Sequence, residues 1–283
     1  MNYKFKDGKL FIEKNDYFKP ELIFDCGQSF RFFNSENGKR LGIAFGSIIE
    51  IEATDKGYTV TATPEIEEDV LTGFFDLKRD YNEIEKCLSN DLVIKNAIEF
   101  GRGIRILKQE FFETLLTFIY SQRSNIPKIA KCVEKTAELF GEKIVKDGKT
   151  YYAFPTPDKM KNITVSDLTE IKCGYRCEYI VDAVNKVLSG EIDYLKLKDM
   201  PYQKAKETLM TIKGVGEKVA DCVCLFSLGF FEAFPTDTWI KKAMESLYNI
   251  PEAEIRTVSA DMFGNMSGIA QQYLFYYLRY NKA

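Results

Sequence analysis

Over the first ninety or so positions, apolar residues come in short β-branched and aromatic runs broken by turn dipeptides. Leu10-Phe11-Ile12 follows Asp7-Gly8. Phe30-Arg31-Phe32-Phe33 leads to Asn37-Gly38, then to apolar runs at 41–45 and 48–51. Asp55-Lys56-Gly57 precedes a run at 58–62. Such runs at such spacing predict antiparallel strands joined by tight turns, a curled meander. Near Asp80 the period changes. Apolar residues then recur at helical spacing: Ile84 and Leu88; Leu92, Ile94 and Ile98; Phe111, Leu115, Leu116 and Ile119; Ile129, Val133 and Ala137. Pro127 suits an early helix position after Asn125, and Gly141 a helix end. Further helices are predicted before Gly174, from about Cys177 to Leu188, over 202–211, 217–228 and 238–247, after Pro251, and over 267–280. The pattern predicts an α+β protein: an antiparallel β domain over residues 1–92 and a mainly helical region over 93–283.

Composition narrows the chemistry. The chain has 283 residues, 45% hydrophobic and 29% charged, ample for one large or two smaller cores. Its net charge is −3, so any nucleic-acid surface must be a local basic face. Lysines gather at 128, 131 and 135, and again at 204, 206, 213 and 218, where solvated helix faces are the ordinary reading. There is no histidine, which removes Ser-His-Asp triads, Cys-His pairs and His-ligated metals and leaves acid–base work to Asp, Glu, Lys or Tyr. Seven cysteines, an odd number, without CxxC spacing point to reduced thiols, a cytoplasmic setting and no metal site. Cys173 and Cys177 read as a helical i, i+4 pair. No apolar run reaches the roughly 18 residues that suggest a membrane span.

The densest segment is 212–237. Gly214 and Gly216 make a tight turn between helices, placing 202–228 as a helix–hairpin–helix. Glycines there let the backbone come close to a ligand, and amides at a helix start bind phosphate without reading sequence. Lys218 falls on the first turn of the second helix. A positive charge at a helix N-terminus is unfavourable, so the position favours the neutral amine, a nucleophile able to form a Schiff base. Cys222 lies four residues on, on the same face. Asp237, nineteen positions after Lys218 (237 − 218), stands at a helix start, where a carboxylate serves as a cap or stabilises a developing cation.

The stretch 214–237 resembles the helix–hairpin–helix DNA glycosylases with a Gly-Pro/Val-Asp loop, in their lysine-bearing, bifunctional branch. Four more segments resemble the 8-oxoguanine DNA glycosylases: Cys26-Gly27-Gln28-Ser29-Phe30-Arg31, the loop 118–126, Gly174-Tyr175-Arg176 and Ala270-Gln271-Gln272-Tyr273-Leu274-Phe275. The likeness spans most of the chain, in order.

The resemblance implies excision of 8-oxoguanine from double-stranded DNA by a monomer that needs no cofactor. Lys218 would attack the sugar C1′, hold the strand as an imine and permit β-elimination, with Asp237 stabilising the transition state. The Gly27 carbonyl would accept the lesion's N7 hydrogen, Cys222 and Phe275 would stack the base, and Gln271 would read its Watson–Crick edge. Tyr175 would wedge into the stack, and Arg176 would contact the widowed base. Arg123, Asn125, Lys128, Gly214, Gly216 and Trp239 complete the implied DNA contacts. Four positions depart from the family pattern. Arg123 stands for an asparagine on the cytosine side, Lys128 for an arginine, Trp239 for a histidine of mammalian relatives, and Leu278 for an acidic residue. Lysine lacks the planar fork that reads a base edge, so relaxed opposite-base preference is expected. The rival readings are a glycosylase for another damaged base and a non-catalytic hairpin module that only clamps DNA.

Overall fold

The computed structural model describes residues 1–35 and 37–281. Six antiparallel strands form one sheet in the order β1-β2-β6-β5-β4-β3: β1 Tyr3–Lys6, β2 Lys9–Glu13, β3 Phe32–Asn34, β4 Arg40–Ala44, β5 Ser47–Thr54 and β6 Gly57–Thr63. The Asp7-Gly8 turn has φ of +51° and +70°, the left-handed pair a two-residue hairpin needs. Lys6 consequently pairs with Lys9, and Leu10 and Ile12 face inward. They pack with Val60, Ile49 and Ile51 against Phe18, Phe24, Phe74 and Phe75.

The predicted antiparallel strands are present, but only β3 to β6 run as a meander; the β1-β2 hairpin pairs on β6, out of sequence order. Phe30 and Arg31 lie outside β3, and strand β1 went unpredicted because its alternation of Tyr and Phe with Lys is too polar to stand out. Two short helices, Pro20–Asp25 and Glu68–Phe74, interrupt and follow the sheet; each is too short to show a helical period. A second hairpin, β7 Lys143–Lys146 and β8 Lys149–Tyr152, folds back so that Ile144 and Tyr151 cover Leu41, Ile43 and Ile48. The helix expected before Gly174 is only the 3-10 turn Thr169–Ile171, and Cys173 precedes the helix Arg176–Leu188 instead of pairing on it with Cys177.

The remaining helices enclose one large core. The helix Leu92–Gly101 follows a shorter one, Tyr81–Leu88, and packs on the last helix, Ser267–Tyr280. That last helix is buried from Ser267 through Phe275 and also packs on Thr238–Tyr248. The loop after Pro20–Asp25 carries Gly27 from the β region to this helical core. Buried Gln28 fixes it: Nε2 donates to the Ile23 and Arg105 carbonyls at 2.9 and 2.7 Å, and Oε1 accepts the Leu107 N–H at 2.8 Å. With both ends of the amide satisfied in a dry interior, the loop has one low-energy position. Among the described residues, no helix is long and apolar enough to cross a membrane.

Candidate active site

The hairpin is built from Tyr202–Leu209 and Glu217–Val223. Gly214 has φ +75°, and a Cβ there would lie 2.3 Å from the Tyr179 ring, so both conformation and space require glycine. Gly216 caps the second helix with no side-chain bond, and both glycines are exposed. The second helix is not the single run to 228 that was expected. At Cys224–Leu228 it widens into a π-turn, closed by Gly229 at φ +82°.

Beneath the hairpin lies a correction. Lys206, grouped with the basic surface, is buried: its ammonium is 2.8 Å from Asp221, which also accepts from the Tyr202 hydroxyl at 2.6 Å. The lysine's charge is spent tying the two hairpin helices together.

Lys218 and Cys222 both face a cavity of about 520 Å³. Lys218 Nζ donates to Ser121 Oγ at 2.9 Å and lies 5.1 Å from the Phe118 ring centroid. Burial pushes the Cys222 thiol up to about 12, with Lys218 pulling the other way, so the sulfur stays a neutral wall. Asp237, on the same cavity, caps Thr238–Tyr248: its Oδ1 accepts the Trp239 and Ile240 amides at 3.0 and 2.9 Å. The cap fixes the carboxylate's rotamer while leaving Oδ2 available.

Opposite these groups the last helix contributes Gln271 and Phe275. Gln271 is buried, yet its Oε1 has no hydrogen-bond partner. A dry amide oxygen left unpaired costs about 1–3 kcal/mol, so it is poised for a donor. Gln122 Nε2, on the same cavity, is likewise buried and unpaired. Gly27 has φ +79°, and a Cβ on it would come within 3.0 Å of the Phe275 ring. The base-reading set expected from sequence, Gly27, Cys222, Gln271 and Phe275, therefore lines one cavity with Lys218 and Asp237.

The expected DNA-contacting residues divide. Tyr175 is exposed, backed by the Tyr179 ring at 5.7 Å. Arg123 is exposed with φ +45°, a strained conformation for a non-glycine residue. Asn125 is occupied as a cap, its Oδ1 accepting the Lys128 amide at 3.0 Å, and the Lys128 side chain is exposed. Trp239 borders the cavity, with the Arg279 guanidinium 5.5 Å from its ring. Arg176 departs from expectation. It is buried, and its guanidinium donates to the Gln122, Arg123 and Cys173 carbonyls, so in the DNA-free protein it braces the strained 122–123 turn.

Ser121, Gln122, Lys241 and Arg279 also line the cavity, and sequence reasoning assigned none of them a role. Ser121 and Gln122 lie inside the 118–126 loop, and no spacing rule singles them out. Arg279 could have been found from its position four residues after Phe275 on one helix.

A lysine-bearing hairpin thus faces a capped aspartate across one cavity. A family model described as HhH-GPD superfamily base excision DNA repair protein matches residues 116–262, and one described as 8-oxoguanine DNA glycosylase, N-terminal domain, matches residues 9–115. The chain belongs to the 8-oxoguanine DNA glycosylase family within that superfamily. It is 30% identical over 281 residues to the N-glycosylase/DNA lyase of Saccharomyces cerevisiae, covering 88% of this chain and 73% of that one. Clostridium acetobutylicum 8-oxoguanine glycosylase/lyase in its apo-form superposes with TM-score 0.90 at 42% identity, over 97% of this chain and 98% of that one. The same enzyme with double-stranded DNA containing cytosine opposite 8-oxoguanine superposes with TM-score 0.93 at 41% identity, over 100% and 99%.

Proposed function

We infer that this chain is a bifunctional DNA glycosylase/lyase that excises 8-oxoguanine from duplex DNA in base excision repair. The observation that carries the reading is the meeting of Lys218, Asp237, Gln271 and Phe275 on one cavity large enough to admit a nucleobase. A damaged base must leave the stack to reach it, at a cost of a few kcal/mol. Tyr175, exposed and backed by Tyr179, is suited to fill the gap. The hairpin amides around Gly214 and Gly216 grip the backbone without reading sequence.

Inside the cavity, Phe275 and the Cys222 thiol present apolar faces to the base, and the unpaired Gln271 Oε1 accepts from its Watson–Crick edge. The Gly27 carbonyl accepts the N7 hydrogen that guanine lacks. That contact discriminates by about 1–3 kcal/mol, on the order of tenfold to a hundredfold. The Lys218 amine then forms a bond to C1′ as the bond to the base breaks and the base leaves with the electron pair. Asp237, negative and rigidly capped, stabilises the positive charge developing on the sugar. Loss of the amine's protons and ring opening give an imine, and removal of a C2′ proton expels the 3′ phosphate.

On this reading residues 1–92 form the β domain and 93–283 the helical catalytic region, with the hairpin about 202–228. The reading takes the chain as a monomer, and free thiols support a cytoplasmic, DNA-associated setting. The test is borohydride trapping on duplexes carrying 8-oxoguanine and other lesions. A covalent adduct with 8-oxoguanine, absent in Lys218→Gln, supports the reading. Tight binding with neither adduct nor base release would make the chain a DNA clamp. Stronger trapping on another lesion would reassign the substrate.

A further inference from the structure

A second cavity, about 650 Å³, opens at the seam between the β region and the helical core and shares no lining residue with the base cavity. Its walls are aromatic: Phe45 and Phe74 from the β side, Phe111, Phe154 and Tyr194 from the helical side. Its volume and apolar lining with a few polar groups are those of a small-molecule site. Among those polar groups Glu113 is unlike the rest. Asp69 pairs with Lys78, Glu110 accepts the Phe45 amide at 2.6 Å, and Asp193 caps a helix. The Glu113 carboxyl meets one opposite charge, Arg31 Nη1 at 3.9 Å, beyond hydrogen-bond range.

Charge around Glu113 is out of balance. Arg31 comes from the loop before β3 and spends Nε on Glu134 at 3.2 Å and Nη2 on the Tyr152 carbonyl at 2.5 Å. One guanidinium thus faces Glu113 and Glu134, with Glu110 one turn away on Glu113's own helix. Lys108, the basic side chain on the cavity lining, is exposed at the rim. Burial pushes the Glu113 carboxyl up to about 8, with Arg31 opposing and Glu110 and Glu134 reinforcing. Burial at the cavity wall thus favours the neutral acid over the carboxylate.

We propose that the seam cavity is a second ligand site, distinct from the base cavity, for a small organic cation with an aromatic or apolar body, with Glu113 as its counter-ion. The aromatic walls take the body and favour positive charge over their faces. The cation's N–H groups supply the hydrogen bonds Glu113 lacks. Binding ionises the carboxyl, so a proton is released to solvent as the ligand enters. The helix Phe111–Tyr120 lines this cavity at its first turn and reaches Phe118 and Ser121, against Lys218, at its far end, which ties the two sites to one rigid element.

The experiment is calorimetric titration of the full chain with benzamidine near pH 7 in buffers of different ionisation enthalpy. Wild type is expected to bind saturably and to release protons. Glu113→Gln keeps shape without charge and should bind at least tenfold more weakly with no proton release. Gly73→Leu supplies a second arm: Gly73 lies on the cavity lining and a Cβ there meets nothing within 4 Å, so the added apolar bulk has room at the wall and should weaken binding. Saturating duplex carrying 8-oxoguanine, added to Lys218→Gln, should leave benzamidine binding unchanged. No saturable binding up to about 10 mM overturns the proposal. Equal affinity in Glu113→Gln or Gly73→Leu, or displacement by the duplex, does so too. None of these outcomes depends on excision, so the assignment of the base cavity stands or falls separately.

Discussion

Lys218 Nζ donates to Ser121 Oγ at 2.9 Å, and the Ser121 hydroxyl donates in turn to the Phe118 carbonyl at 2.7 Å. A hydroxyl carries one hydrogen, and here the backbone takes it, so the oxygen offers the amine only lone pairs. The amine is thereby parked at the cavity wall before substrate arrives. Ser121→Ala removes one hydrogen bond of about 1–3 kcal/mol and frees the lysine to leave its attacking geometry. Borohydride-trappable adduct should form on the order of tenfold more slowly while lesion-duplex affinity is kept, and Ser121→Thr should restore most of the rate. Wild-type trapping by the alanine variant would remove Ser121 from the account. Lys218→Gln should bind the lesion and release no base; turnover in that variant would refute the nucleophile assignment itself.

Asp237 has two jobs that can be separated. Its Oδ1 caps the helix Thr238–Tyr248, and asparagine caps helices equally well. Its charge faces the cavity, and asparagine has none. Asp237→Asn should melt within about 2 °C of wild type, because the cap survives. Single-turnover base release should fall on the order of a hundredfold, the usual loss when one electrostatic partner of a developing charge is removed. A wild-type rate would leave the aspartate a cap and nothing more.

Gly27 joins fold to selectivity. Its φ of +79° is open to glycine at no steric cost, and a Cβ would press on the Phe275 ring. Gly27→Ala should therefore shrink the base cavity and shift the carbonyl that accepts from N7. Excision of 8-oxoguanine is expected to drop more than tenfold. Cleavage at a preformed abasic site, which needs Lys218 and no base reading, should persist. Equal loss of both activities would mean that the substitution disturbs the lysine as well.

What the sequence disclosed follows the range of the signal. Asp7-Gly8 and Gly214 are local devices, and both appear where a left-handed residue is needed. Lys218 and Cys222 share a helix face by spacing alone, and both meet the cavity. Burial of charge was illegible. Nothing in a run of lysines marks Lys206 as paired with Asp221, fifteen residues on, because the partner is set by the hairpin's closure. The resting place of Arg176 was illegible for the same reason: the carbonyls that occupy it, at 122 and 123, are fixed by a turn more than fifty residues away.

The Lys206–Asp221 pair gives a stability test. Both side chains are nearly inaccessible, at 1% and 7% exposure. Removing one member strands the other charge, at a cost of about 3–5 kcal/mol. Lys206→Met should lower the unfolding free energy by that amount, whereas the double variant Lys206→Met, Asp221→Leu should recover most of it. If the single variant loses under about 1 kcal/mol, the pair is not holding the hairpin helices together.

Opposite-base preference turns on Arg123, Lys128 and Arg176. Reading cytosine needs fixed groups at its edge, and a good bidentate contact discriminates by about 1–3 kcal/mol. Arg176 offers no free fork in the DNA-free protein, since backbone carbonyls hold its guanidinium. Asn125 has spent its carbonyl oxygen on the Lys128 amide. Arg123 and Lys128 are exposed, and lysine presents a point charge in place of a planar fork. Only Arg123 could supply such a fork, and it must first give up the freedom of an exposed side chain. Single-turnover excision with the lesion opposite A, C, G or T should therefore span no more than about tenfold. A preference for cytosine of about a hundredfold or more that survives Arg123→Ala would show that Arg176 leaves its carbonyls when DNA binds. Arg176→Ala should then abolish that preference while the rate opposite the other bases changes little.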